Sequence, residues 1–175
     1  VVMEKYTLGL GRVKQDEKKF IAESDGDSVT AVNFCGETLY IATTENTFEY
    51  SEGNLKKLSF KAEKLFSENG KLYASQGKVL AEIKNGKSKK IAEFESSVVD
   101  ISIALDGSFW LITEDALYLK EDGEFKNIVG LPSEVVALAA LDNKAKYAET
   151  VYVGSSVEGL LSMKGKRRHW AELLP

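Results

Sequence analysis

The residue types that carry most protein chemistry are scarce in this chain. Among its 175 residues there is one cysteine, Cys35, and one histidine, His169. A lone thiol cannot form an internal disulfide, and it excludes a structural zinc site built from several thiolates. A lone imidazole removes most histidine-based metal and catalytic sets. Acids gather in Ser24-Asp-Gly-Asp27 and Glu121-Asp-Gly-Glu124, whose carboxylate oxygens are of the kind that hold calcium. Neither has the alternating ligands of an EF-hand loop, and both read as solvated turns. Cations gather in Lys87-Ser-Lys-Lys90 and Lys164-Gly-Lys-Arg-Arg-His169, runs that could attract an anionic partner. On edge strands such runs also block edge-to-edge aggregation, and that is the reading adopted for both. No catalytic set, metal site or cofactor is expected, and the chain does not read as an enzyme.

The elements around these residues follow from composition. Apolar residues make up 43% and charged residues 29%, which suits a folded globular protein rather than a disordered one. A formal charge of -4 gives no reason to expect nucleic acid, whose recognition shows as a strongly basic domain. No apolar run approaches the roughly 20 residues of a membrane-spanning helix, and no signal peptide is visible. Two prolines and 14 glycines suit many short strands joined by tight turns.

An internal repeat organises the chain. Residues Leu39–Leu58, Leu72–Ile91, Phe109–Ile128 and Val151–Trp170 align without a gap. Each has an aromatic anchor: Tyr40, Tyr73, Trp110 and Tyr152. Thirteen residues after each anchor stands a glycine (Gly53, Gly86, Gly123, Gly165), and eighteen after it a large apolar residue (Leu58, Ile91, Ile128, Trp170). The anchors are 33, 37 and 42 residues apart, the period of β-propeller blades. An apolar strand precedes each unit, over 28–34, 62–66, 97–105 and 134–141, and Asn69-Gly70 and Asp106-Gly107 are tight-hairpin pairs. Near-continuous apolar runs such as FWLIT belong to strands sandwiched between blades, and the polar fourth strands to the rim.

The fold read from this is all-β, a propeller of four-stranded antiparallel blades in one domain. The blades span 27–61, 62–95, 96–132 and 133–175, and residues 1–26 read as a partial blade lacking its innermost strand. A small five-bladed ring, a piece of a larger propeller, and a half that closes by homo-oligomerisation all remain open.

The stretch GLPSEVVALAALDN (130–143), followed by Val151-Tyr-Val-Gly-Ser155 and Gly159-Leu160, resembles the two-component-regulator propeller repeat. The match is specific over about 40 residues, and only the fourth blade carries Gly-Leu-Pro-Ser. The resemblance implies an extracytoplasmic sensor region, periplasmic or extracellular, that recognises a ligand, often a carbohydrate. The segment Ser102–Trp110 also resembles the Asp-box of sialidase-type propellers, but its Asp106 and Gly107 adjoin where that motif inserts a residue, and the box is a structural turn in any case. The functional expectation is a non-catalytic binding or sensing module for a small ligand such as a glycan. The alternative is a protein-interaction scaffold of the WD40-like type. By ring geometry the site is expected where the loops 44–46, 76–78, 114–115 and 156–158 meet those near 23–27, 59–61, 94–96 and 131–133.

Overall fold

A computed structural model describes residues 27–104, 106–141, 150–164 and 170–174. The partial blade expected over 1–26, Gly165 of the repeat, and the three arginines Arg12, Arg167 and Arg168 lie outside the described residues. Those described form sixteen strands in four antiparallel four-stranded sheets. The first blade is β1 (Val29–Cys35), β2 (Thr38–Thr43), β3 (Thr47–Ser51) and β4 (Asn54–Lys57). In the second are β5 (Lys64–Glu68), β6 (Lys71–Gln76), β7 (Val79–Lys84) and β8 (Lys87–Glu93). The third holds β9 (Val98–Ile103), β10 (Phe109–Thr113), β11 (Ala116–Glu121) and β12 (Glu124–Gly130). The fourth comprises β13 (Val135–Leu141), β14 (Thr150–Ser155), β15 (Gly159–Lys164) and β16 (Ala171–Leu174). Each sheet is a simple meander, and the first strands β1, β5, β9 and β13 lie side by side, as blades of a propeller require.

The repeat has a direct physical basis. Glu52-Gly53, Asn85-Gly86 and Asp122-Gly123 close the hairpins between third and fourth strands, and both residues of every pair have positive φ. That is the type I′ turn, whose second central residue is easiest for glycine. The anchors sit in the second strands on the face turned toward the following blade. Tyr73 and Trp110 are 4% and 2% exposed, and Tyr40 packs on the core shared by the first two blades. Of the residues five places beyond the glycines, Leu58 is buried, while Ile91 and Ile128 are half-buried on β8 and β12.

Two expectations are corrected in the fourth blade. Tyr40, Tyr73 and Trp110 pair with Glu49, Glu82 and Leu119, each nine residues on, but Tyr152 pairs with Ser162, ten residues on. Ser156–Glu158 separate the paired Ser155 and Gly159 by three residues, where Gly77-Lys78, Glu114-Asp115 and the Thr44-Glu45 inside the Thr43–Asn46 backbone bond are two, so the gap-free alignment fails by one residue. The fourth strand of this blade is Ala171–Leu174, beyond Trp170, and pairs with Leu160–Ser162; most of the basic run read as that strand, residues 165–169, lies outside the described residues. Trp170 instead donates its indole N–H to the Gly130 carbonyl at 3.1 Å, tying the fourth blade to the third.

Among the described residues three clusters of buried side chains lie at junctions between blades. Ala42, Ala62, Leu65, Leu72, Ala74 and Ile83 fill the first. Tyr73, Leu80, Phe94, Ile101, Phe109 and Leu111 fill the second. Trp110, Ile112, Leu117, Leu138, Val153 and Met163 are central to the third.

Side chains near the axis join the innermost strands. The Asn33 amide donates to the Leu65 carbonyl at 3.1 Å, and the Cys35 thiol to that of Gly70 at 3.4 Å. Cys35 thus ends β1 and binds the next blade; the turn itself is Gly36-Glu37. Lys64 donates to the Val99 carbonyl at 3.1 Å, and Glu68 accepts from the Ile103 amide at 3.4 Å. Asp100 accepts from the Leu138 amide at 2.9 Å, and Ser102 from the Ala140 amide at 3.0 Å.

Burial pushes the Asp100 carboxyl above its ordinary value of 3.8, against the pull of the Leu138 and Ile101 amides and of Lys64. A proton held more tightly in the folded state favours folding below pH 3.8, and that contribution is lost as pH rises through the raised value. Asp100→Asn should keep an acceptor for the Leu138 amide and flatten this pH dependence. Asp100→Ala, which strands that amide, should lower stability by about 1–3 kcal/mol. Urea unfolding at acid and neutral pH checks both; an Asp100→Ala midpoint equal to wild type would sink the latch.

Candidate functional site

The loop end where sequence reasoning puts a ligand is built mainly to hold itself together. Asp27 accepts from Thr43 Oγ1 at 2.6 Å, Thr44 Oγ1 at 2.7 Å, the Glu45 amide at 3.0 Å and Asn46 Nδ2 at 3.3 Å. Burial raises the Asp27 pKa, but these four bonds outweigh it and leave the carboxyl below its usual range. Glu63 accepts from the Gly77 amide at 2.8 Å. Asp115 accepts from Ser96 and from Thr113, and those two hydroxyls hold its carboxyl below the usual value. Glu158 accepts from the Ser133 amide at 2.9 Å. In each blade an acid therefore clamps the loop entering the blade to the turn between its second and third strands. Asp27, the described member of the first acidic loop, is filled by protein donors. In the second acidic loop Glu121 and Asp122 face Lys126 at 3.4 and 3.9 Å. Among the described residues no cluster of three or more histidine, cysteine or acidic side chains is placed to hold a metal.

A different place is open to solvent and lined by unsatisfied groups. Between the second and third blades runs a groove of about 550 Å³, within the range of about 300–1,000 Å³ typical of ligand sites. It lies toward the end that carries the Asn69-Gly70 and Asp106-Gly107 turns. Strand pairing builds its walls. On one side Tyr73, Glu82 and Lys89 are successive partners across β6, β7 and β8, so they form one row on one face. On the other side Ile103 pairs with Phe109, and Lys120, next along that face, pairs with Phe125. Each row carries a lysine outside its apolar inner residues, Lys89 on β8 and Lys120 on β11, and Lys71 and Lys90 complete a set of four cations around the single acid Glu82.

The floor is aromatic and rigid. Tyr73 meets Phe109 edge-on at 5.2 Å, Phe109 meets Phe125 at 5.2 Å, and Phe125 meets Phe94 at 5.4 Å. Tyr118 extends the chain at 4.9 Å from Phe94. Beyond Phe125 a second recess of about 420 Å³ carries the opposite charge, from Glu93, Glu95 and Glu124.

The polar groups of the groove differ in how far the protein satisfies them. Lys71 lies 4.0 Å from Glu82, and Lys90 pairs with Glu93. Lys89 and Lys120 have no carboxylate partner among the described residues; Lys120 instead lies 5.9 and 5.5 Å from the ring centres of Phe109 and Phe125. Tyr73 is 4% exposed, yet its hydroxyl makes no hydrogen bond with any described residue. Burial, and then the charges of Glu82 and Glu68, raise its pKa, so the hydroxyl keeps its proton as a donor.

Sequence reasoning saw part of this groove under another heading. It identified Tyr73 as a repeat anchor, and Lys89 and Lys90 as a solubilising edge. Lys71, Lys120 and Phe109 drew no functional attention, although pairing the repeat strands in register would have put Tyr73, Glu82 and Lys89 in one row.

No family model matches this chain, and no curated protein matches it. Solved structures do match, at low identity. Virginiamycin B lyase from Staphylococcus aureus, in an inactive form with quinupristin, is 10% identical, with a TM-score of 0.64 over 88% of this chain and 58% of that one. The extracellular domain of a two-component system from B. thetaiotaomicron is 15% identical, with a TM-score of 0.61 over 88% of this chain and 22% of that one. YCF48 bound to D1 peptide is 9% identical, with a TM-score of 0.59 over 90% of this chain and 57% of that one. The chain thus spans less than two thirds of the length of these structures. They share the β-propeller fold with it, and one of them is an enzyme.

Removing the Phe109 ring, 7% exposed and shared by two ring contacts, should destabilise the protein by about 3–5 kcal/mol. Lys89→Ala and Lys120→Ala should each change stability by about 1 kcal/mol or less. Thermal or urea unfolding of the three variants checks this; a large loss from either lysine variant would make that lysine structural.

Proposed function

We propose that this chain is a non-catalytic recognition propeller whose partner is a polypeptide. The observation that carries the reading is the open groove between the second and third blades, aromatic at its floor and cationic at its rim. It is open to solvent rather than enclosed, which suits a segment of chain laid across it better than a small molecule that must be surrounded. The peptide bound by YCF48, a protein of the same fold, adds support. A glycan ligand finds less here, because sugar hydroxyls call for mixed donors and acceptors while this rim offers four lysines and one acid.

The non-catalytic part of the reading is supported by the two acids with raised pKa near the axis. Glu68 is pushed up by burial, against the Ile103 amide, and further up by the charge of Asp100. Both acids accept backbone amides of the next blade, so each already has a structural task. An extracytoplasmic location belongs to the same proposal, supported by the fold shared with an extracellular two-component domain. Among the described residues no helix is long and apolar enough to cross a membrane.

Labelled protein applied in parallel to a random peptide array and a glycan array tests the reading. Reproducible binding to a subset of peptides, without glycan binding, is the expected result. Saturable binding to glycans alone would overturn it.

A further inference from the structure

We infer that the groove between the second and third blades takes an acidic peptide segment that carries an apolar side chain. The segment's carboxylates pair with Lys89 and Lys120, and the apolar side chain packs on Ile91 and Ile103 beside the ring edges of Tyr73 and Phe109. This rests on the reading of the chain as a polypeptide-recognition module and adds the site and the chemistry of the ligand.

Three independent features of the groove converge on that ligand. The first is charge. Four lysines and one acid line the groove, and two of the lysines, Lys89 and Lys120, lack a carboxylate partner among the described residues. This excess stands out against a chain of net charge -4. The second is the Tyr73 hydroxyl, a donor on the groove lining without an acceptor among the described residues. It can donate to an acceptor placed in the groove. The third is apolar surface: Ile91 and Ile103, both half-buried, line the groove beside the edges of the Tyr73 and Phe109 rings. A carboxylate supplies acceptors for both the lysines and the phenol, and a neighbouring apolar side chain covers the floor. Neither a basic peptide nor a purely acidic one satisfies all three.

Fluorescence anisotropy with defined probes decides the matter. The main probe is a fluorescein-labelled synthetic peptide, Gly-Asp-Glu-Phe-Asp-Asp-Glu-Gly. One control has serine in place of phenylalanine, and another has lysine in place of every acid. The protein should bind the main probe, bind the serine control at least about fivefold more weakly, and ignore the basic control. Raising salt should weaken binding severalfold, since exposed charges are screened. The double variant Lys89→Glu/Lys120→Glu should weaken binding at least about tenfold, and Tyr73→Phe by about two- to fivefold. Lys57→Glu/Lys61→Glu makes the same change of net charge at exposed positions of the first blade and its exit loop. It should change affinity less than about twofold.

Equal losses in both double variants would reduce the effect to net charge and overturn the inference. Undiminished binding by Lys89→Glu/Lys120→Glu would overturn the site while leaving a polypeptide partner in place. Binding of array peptides but not of the acidic probe would overturn the ligand chemistry alone. Failure of every peptide would take down both this inference and the function it rests on.

Discussion

The structure depends on how the innermost strand of each blade satisfies its open edge. A meander of four strands leaves one edge of its first strand unpaired at the axis, with backbone donors and acceptors partly removed from water. In this protein the neighbouring blade answers with side chains. Asn33 and Lys64 donate to carbonyls of the following strand, Cys35 to a carbonyl of the turn after it, and Glu68, Asp100 and Ser102 accept from amides of the following strand. Blades are therefore bound near the axis by directed bonds and farther out by apolar packing. The directed bonds set the register of one blade against the next, which packing alone holds only loosely. At the corresponding positions β13 carries Ala137 and Ala139, which offer no such bond. The large apolar residues exposed on the described blades include Val32 and Phe34 in the first and Val136, Val157 and Leu173 in the fourth.

With the axis fixed in this way, the size of the side chains between blades decides what happens at the rim. The first junction is lined by three alanines among aliphatic residues. The second is filled by five aromatic rings in an unbroken series of contacts from Tyr73 to Tyr118. Rings packed edge to face need more room than methyl groups, and they fill the inner part of the junction while its outer part stays open. Both recesses described above border this series, one cationic and one anionic. The groove is thus a consequence of the same packing that stabilises the core, and its floor is preorganised by ring contacts that exist without a ligand.

Much of the fold was legible in the amino-acid order. The anchors Tyr40, Tyr73 and Trp110, the glycines of three type I′ turns and the alternation of apolar and polar strands are local features with local causes, so they survive in a one-dimensional reading. The fourth blade shows the limit. Its extra residue at Ser156–Glu158 is compensated in the alignment by Gly165 and Trp170 falling at the expected offsets, while the strand pairing is shifted by one. Coincidence of residue type at a fixed spacing does not establish register; hydrogen-bonded pairing does.

The site was less legible than the fold, because its residues serve two purposes. Tyr73 stands where a core anchor stands, and Lys89 and Lys90 stand where a charged edge strand wants lysine. The sequence by itself determined a four-stranded repeat, its turns, its buried second strands and the supply of a single histidine and a single cysteine for chemistry. Only the tertiary structure decided which face of each blade met which neighbour. That choice joined Tyr73 of one blade to Phe109 of the next, put Lys89 across from Lys120, and gave Asp27 and Asp115 to loop clamps instead of a ligand. The physical reason is that a propeller's grooves lie between sheets, where each wall comes from a different repeat and no spacing along the chain records the distance across.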